Sequence, residues 1–389
     1  MFCMSRNKLT RQVFTLAMGC MLTFSAFACG GGGSKEKVIS DSERITMTEF
    51  DGQVSLLPWN VKRYLNAAPE ELVTSFITYD NTRYDKGEPV KIEYSFSDIG
   101  NAEILEEKVE VSAKEDFSSI EQTLYFAPRR TYVNIYNLQA GATYYYRVSV
   151  KLDNGETHVK TSSFQTEESL RFIALEGACN VRDIGGWMTE SGKKIKHGLL
   201  YRGSEIDGGK NKNHPDFCLT EKGIEQLRAL GIKTDCDLRS EETKVGEYSV
   251  LGEDVTRTFY NAPQYQSYFN DSVQETVRKL FSDLAKPEAY PVYLHCTHGV
   301  DRAGSAALIL ESLLGVAQED LIRDYELSAF YYNYAHVNRN VQTGGNVLVL
   351  LERLEALEGE TLADKTATFL LSVGVTEAEI ASIRSIFLD

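Results

Sequence analysis

The stretch "YPVYLHCTHGVDRAGSAALILESLLG", Tyr290 to Gly315, reads as a buried strand, a short loop and an apolar helix that stops at a glycine. That order aims several backbone N–H groups and a helix N-terminus at one spot, and such a spot binds anions, phosphate above all. Gly299 and Gly304 let the loop bend and let its backbone approach a ligand closely. Cys296 opens the loop, where the positive field and Arg302, six residues on, favour a thiolate; such sites bring a cysteine from about 8.5 to about 3.5–7.5. Arg302 offers a planar fork matched to two phosphate oxygens. Asp301 beside it is placed to give a proton to a leaving oxygen and later to activate water.

Chance does not account for the pattern. Lys and Arg together are 41 of 389 residues, so an Arg at a given offset has a chance below one in ten. Two glycines at fixed offsets add about 0.07 squared, and for seven cysteines the whole is expected well under about 0.01 times. The backbone of Thr297, His298, Gly299, Val300, Ala303 and Gly304 is expected to wrap the phosphate.

Outward from the loop, short strands alternate with helical patterns from Leu170 onward, which predicts an α/β domain over 170–389. "LTEKGIEQLRALGI" (Leu219 to Ile232) predicts an amphipathic helix capped by Thr220, "ETVRKLFSDLA" (Glu275 to Ala285) another, and Thr376 with Glu379 starts a third near the C-terminus. Before that domain, period-2 runs such as "VKIEYSFS" (Val90 to Ser97) and "TYYYRVSVKL" (Thr143 to Leu152) predict an all-β sandwich over 43–168, with a type I′ hairpin turn at Asp153 to Gly155.

The N-terminus has Arg6, Lys8 and Arg11 ahead of "VFTLAMGCMLTFSAFAC" (Val13 to Cys29), then "GGGGSKEK". This resembles a bacterial lipoprotein signal: 1–28 removed, Cys29 carrying lipid, 29–42 a flexible tether. An ordinary secretory signal cut nearby, or an uncleaved anchor, fits the same residues, and Cys20 is a second acceptor candidate. The folded part is then expected outside the cytoplasm, in the bacterial cell envelope. The formal charge of −15, about −18 once those three basic residues are gone, argues against nucleic acid and against electrostatic docking on anionic lipid. Cys179, Cys218, Cys236 and Cys296 lack the spacing of a metal site or a disulfide framework, although an oxidising compartment permits a bridge, and no metal or cofactor is implied.

"HCTHGVDRAG", His295 to Gly304, resembles the signature of cysteine-dependent tyrosine phosphatases. With "NVRDIGG" (Asn180 to Gly186), "GLLYRGSEI" (Gly198 to Ile206) and "DLRSEET" (Asp237 to Thr243), the region from Leu170 to Asp389 resembles the bacterial tyrosine phosphatase family, some of whose members act on phosphoserine, phosphothreonine or phosphoinositides. The resemblance implies Cys296 as nucleophile, Arg302 as phosphate ligand and Asp301 as general acid within the loop; no Trp-Pro-Asp sequence offers an acid elsewhere. Two positions depart from the pattern. Val300 stands where members often carry lysine, and Ala303 where a Ser or Thr helps the thiolate leave; Ser305 is a substitute that the helix would point elsewhere. Similarly, "YNLQAGATYYYRVSV" (Tyr136 to Val150) resembles the closing strands of a fibronectin type III domain.

His295 is expected to hydrogen-bond at the loop base and tune Cys296, while His298 faces solvent or substrate. Arg182, Asp183, Arg202 and Arg239 either line the cleft or form buried ion pairs that hold the loop. "DYELSAFYYNYAHVNRN" (Asp324 to Asn340) offers tyrosines for core or rim packing, and "GGKNKNHPDF" (Gly208 to Phe217) an exposed insertion near the cleft. The expected activity is an extracytoplasmic phosphatase for phosphotyrosine or a broader set of phosphoesters, its partners a phosphorylated protein or small phosphoester, and the membrane through lipid. An inositol-phosphate or RNA 5′-phosphate hydrolase of the same superfamily is a second reading. A phosphate-binding module with little turnover is a third. The sandwich is read as a spacer before the catalyst, with a docking role as its alternative.

Overall fold

The computed structural model describes residues 37–77, 83–97, 100–127, 130–209, 214–243, 245–331, 337–340 and 346–388. The signal segment, Cys20, Cys29 and the start of the tether lie outside them, as do residues 210–213 of the insertion and 332–336 of the tyrosine-rich stretch.

Nine strands build the N-terminal region: β1 (Lys37–Ile39), β2 (Ile45–Met47), β3 (Gln53–Val54), β4 (Val90–Phe96), β5 (Ile104–Ser112), β6 (Gln122–Tyr125), β7 (Tyr132–Ile135), β8 (Thr143–Leu152) and β9 (Glu156–Thr166). One sheet has the order β1-β9-β8-β5-β6, with β3 also on β9; the other is β2-β4-β7. Alternation drives the packing: in β4, Val90, Ile92 and Tyr94 turn inward while Lys91, Glu93 and Ser95 face solvent. These side chains meet Val109, Val111, Tyr144, Tyr146 and Val148 of the other sheet in one cluster. The β8–β9 hairpin forms, but its turn differs from the type I′ expectation. Gly155 alone takes a positive φ, of 86°, and its N–H closes on the Leu152 carbonyl at 3.2 Å. Asp153 and Asn154 thus make an ordinary turn that ends in a glycine bulge, which likewise suits the strand twist.

Between β3 and β4 the chain leaves this core. Leu56 belongs to the β cluster, whereas its neighbour Leu57, with Val61, Tyr64, Val73, Phe76 and Ile77, joins the core of the second region. Helix α1 (Trp59–Leu65) lies in this strap. Tyr64 donates through its hydroxyl to Glu326, and Arg323 donates to the carbonyls of Leu65 and Ala67. The sandwich expected over 43–168 includes this segment, whose apolar residues instead pack into the second core.

The second region centres on a six-stranded sheet, ordered β10 (Arg171–Phe172), β11 (Arg182–Asp183), β12 (Leu200–Gly203), β15 (Val292–His295), β13 (Thr234–Asp237) and β14 (Thr256–Phe259). From β12 to β14 the strands are parallel. Around it lie α2 (Glu221–Ala229), α3 (Gln274–Leu284), α4 (Asp301–Leu314), α5 (Gln318–Glu326), α6 (Val347–Glu355), α7 (Leu362–Ser372) and α8 (Glu377–Phe387). Thr220 caps α2 through the Gly223 N–H at 3.1 Å, and Thr376 with Glu379 forms a capping box on α8; each such cap is worth about 1 kcal/mol. Gly315, at φ 92°, ends α4 in the left-handed conformation that glycine adopts without steric cost. Among the described residues, no helix is long and apolar enough to cross a membrane.

Candidate active site

Register places the site. Gly203, His295 and Asp237 lie side by side at the carboxyl ends of β12, β15 and β13. The chain runs from His295 straight into the loop and then α4, at the edge where open parallel sheets bind ligands. Cys296 is 2% exposed at the floor of this loop.

Three carbonyls of the loop are pinned in turn. The Thr297 oxygen accepts from the Glu205 N–H at 3.1 Å, the His298 oxygen from Asn180 Nδ2 at 3.2 Å, and the Gly299 oxygen from Arg202 Nη2 at 3.0 Å. In a trans peptide the C=O and the next N–H point opposite ways. Pinning these oxygens therefore turns the N–H groups of His298, Gly299 and Val300 to the other side, the arrangement of an anion nest. Val300, the N-cap of α4, has no side-chain acceptor to give, so the first-turn N–H groups of α4 extend the nest. Its own side chain goes into the core.

Gly299 is required twice over. Its φ is +73°, and a Cβ there would stand 2.5 Å from the Gly203 carbonyl. Gly304 has a different reason: a Cβ would meet Arg202 Nη2 at 2.8 Å and the Tyr325 ring at 3.3 Å.

Arg302 donates to Thr297 Oγ1 at 3.2 Å, so its fork curls back over the loop. Asp301 accepts from the Tyr265 hydroxyl at 2.5 Å, which in turn meets the Tyr325 hydroxyl at 2.7 Å. Burial pushes the Tyr325 phenol up to about 12 and Tyr265 further still, aided by the neighbouring phenol and carboxylate. Both stay protonated, and the pair fixes one oxygen of Asp301. The sequence gives no sign of Tyr265 here, and it offers Tyr325 only for core or rim packing, not for this contact. Ser305 is committed elsewhere, as expected of its helix position: it accepts from the Tyr265 N–H at 2.8 Å and donates to the Asp301 carbonyl at 2.7 Å. Ala303 is fully buried.

His295 sits under the loop with Nε2 2.8 Å from Asp235 Oδ1. Burial works to lower its pKa, but the charge of Asp237 and the bond to Asp235 prevail and raise it. Burial likewise works to raise the Asp237 carboxyl, and His295 and Arg239 outweigh it, holding it down to about 2. His298, above, has its pKa lowered: burial is the main cause, Asp301 and Glu205 work against it, and Arg302 and His214 add to it. Its ring stands edge-on to Phe217 at 5.1 Å.

The four supporting residues separate. Arg202 holds Gly299 directly and pairs with Asp324. Arg182 shares Asp324 at 3.0 Å and holds Asn180 Oδ1 at 2.7 Å. Arg239 joins Asp237, Asp207 and Glu205, one shell below the loop. All three arginines are buried in ion pairs. Asp183 also lies in a buried ion pair, with Arg171 at 3.5 Å, and accepts from the Gly185 and Gly198 N–H groups at 2.9 and 2.7 Å, fixing the turns around β11.

The loop between β15 and α4 thus brings Cys296, Asp301 and Arg302 to one place, beside a row of backbone N–H groups turned to one side. The model of the tyrosine phosphatase family matches residues 173–389, and the chain belongs to that family. A tyrosine-protein phosphatase, so named, of Cupriavidus necator is 25% identical over 177 residues, covering 39% of this chain and 61% of that protein. Another, of Nostoc commune, is 27% identical over 134 residues, 29% of this chain and 46% of that one. This chain thus spans less than two thirds of either relative. The sixth fibronectin type III domain of a human fibronectin type III domain containing protein covers 31% of this chain and 93% of its own at 13% identity, with a TM-score of 0.18, too low to carry an argument.

Proposed function

We propose that this family member hydrolyses phosphotyrosine, and a wider set of phosphomonoesters, through a cysteinyl-phosphate. The observation that carries the reading is the row of three pinned carbonyls around Cys296, which turns successive N–H groups toward one anion. The Cys296 thiolate attacks phosphorus, the bond to the leaving oxygen breaks, and Asp301 gives that oxygen its proton. The ionised Asp301 then takes a proton from water as the water displaces the Cys296 sulfur and frees phosphate. Arg302 and the nest stabilise the charge that spreads over the equatorial oxygens, as electrostatic preorganisation does in phosphoryl transfer.

Cys296 as nucleophile, attachment of lipid at Cys29, an extracytoplasmic location in the cell envelope and a fibronectin type III-like sandwich are part of the same proposal. The two N-terminal sheets around one core and the glycine-rich tether after Cys29 support it. The test is phosphate release from p-nitrophenyl phosphate and from a phosphotyrosine peptide with EDTA present. Turnover lost in Cys296→Ser and strongly reduced in Asp301→Asn is expected. Turnover that survives Cys296→Ser, or phosphopeptide bound without turnover by the wild type, contradicts it.

A further inference from the structure

Residues 83–88 precede the family-matched region and carry the chain from the strap into β4. Asp85, 1% exposed, spends its carboxylate on two partners. Arg83 grips it with two guanidinium nitrogens at 2.9 and 2.8 Å, and Oδ2 accepts from the Asn180 N–H at 2.6 Å. Asn180 takes a φ of +53°, and its amide donates to the His298 carbonyl. A carboxylate locked by a bidentate arginine is a fixed anchor, and here it anchors the residue that pins one of the three loop carbonyls.

A second arm reaches the same loop residue. The other terminal nitrogen of Arg83 pairs with Asp216, the neighbour of Phe217, whose ring meets the His298 imidazole. The Arg83 guanidinium also lies over the Tyr331 ring at 5.0 Å, and Tyr331 stands edge-on to Phe217 at 6.4 Å. Arg83 and Asp85 thus end on both parts of His298, its backbone through Asn180 and its side chain through Phe217. A stitch that only joined two regions would have no reason to converge there.

We propose that Arg83 and Asp85 are positioning residues of the phosphatase site, so that a segment outside the family domain completes the oxyanion nest. Freed of Asp85, Asn180 keeps its side-chain bonds to Arg182 and Ser328 but loses the one that fixes its left-handed backbone, so the His298 carbonyl it holds, and with it the Gly299 N–H of the same peptide unit, shifts from its place at the phosphate. The inference rests on the phosphatase reading for its kinetic arm alone.

The experiment compares the full-length wild type with Asp85→Ala and Asp85→Asn, the latter keeping the side-chain volume if the former does not fold. Three quantities are read: the melting temperature, kcat and KM for p-nitrophenyl phosphate, and the affinity for orthovanadate. A loop misplaced by about 1 Å costs about 100-fold, so a fall in kcat of about 10- to 100-fold with weaker vanadate binding is expected in the folded variants. Asp85→Glu, able to reach both partners, is expected to recover part of each. A lower melting temperature with kcat and vanadate affinity unchanged overturns the proposal. If the wild type itself gives no turnover, the phosphatase reading falls, and the vanadate affinities of the same variants still decide the positioning role.

Discussion

Gly299→Ala tests whether the loop geometry is as tightly determined as its contacts imply. The left-handed backbone at φ +73° costs an alanine about 1–2 kcal/mol. The new Cβ would also stand 2.5 Å from the carbonyl carbon and oxygen of Gly203 and 2.9 Å from its Cα. Carbon contacts are comfortable at about 3.5 Å, so one backbone must retreat by about 1 Å. Gly203 ends β12, which is hydrogen-bonded between β11 and β15, so the loop is the part that yields. A shift of about 1 Å in a positioned group costs about 100-fold in rate, or about 2.7 kcal/mol of transition-state stabilisation. The assay is kcat/KM for p-nitrophenyl phosphate, with thermal unfolding to verify the fold; the melting temperature is expected to fall as well. A folded Gly299→Ala within about threefold of the wild type refutes the reasoning. Gly203→Ala offers a contrast, because its Cβ meets the side chains of Tyr293 at 2.5 Å and Val181 at 2.8 Å, which can move; it should cost stability more than rate.

Tyr265→Phe removes the hydroxyl that holds Asp301 and leaves the ring; kcat is expected to drop about tenfold for substrates with poor leaving groups and less for p-nitrophenyl phosphate, and equal losses for both would contradict a role through the acid. Ala303→Ser should raise the steady-state rate if breakdown of the phosphoenzyme is slow for want of a hydroxyl, and the wild type should show a pre-steady-state burst of p-nitrophenol that the variant shrinks; rapid-mixing absorbance reads both. His295 has a pKa above its ordinary 6.5 when folded, so its contribution to stability is complete below that value and fades as pH rises through the raised one. The gap in urea midpoint between wild type and His295→Asn should therefore be widest below pH 6.5 and narrow above it, and a gap flat with pH contradicts the charged imidazole.

What the sequence made legible was local. The strand, loop and helix around Cys296, the Thr220 and Thr376 caps and the β-strand alternation of Val90 to Phe96 all rest on neighbouring residues, and all stand in the structure. What escaped was set by pairings across the chain. Tyr265 lies 36 residues from the acid it holds, and nothing in its surroundings marks a phenol aimed at a carboxylate. Leu57 to Ile77 is apolar enough for either core, and only the fold shows that it joins the second. Arg182, Arg202 and Arg239 stood out as motif residues, yet lining a cleft and pairing beneath a loop call for the same residue types. Their burial beside Asp324, Glu205 and Asp207 comes from pairings across the chain that no neighbouring residue announces.

The central claim is that Cys296 carries the phosphoryl group. The most direct measurement is rapid acid quench during turnover of a phosphotyrosine peptide, followed by mass spectrometry of the fragment that contains Cys296. The account predicts that fragment heavier by one phosphoryl group, and no such species in Cys296→Ser. Phosphate released at the wild-type rate with Cys296 never modified would contradict it.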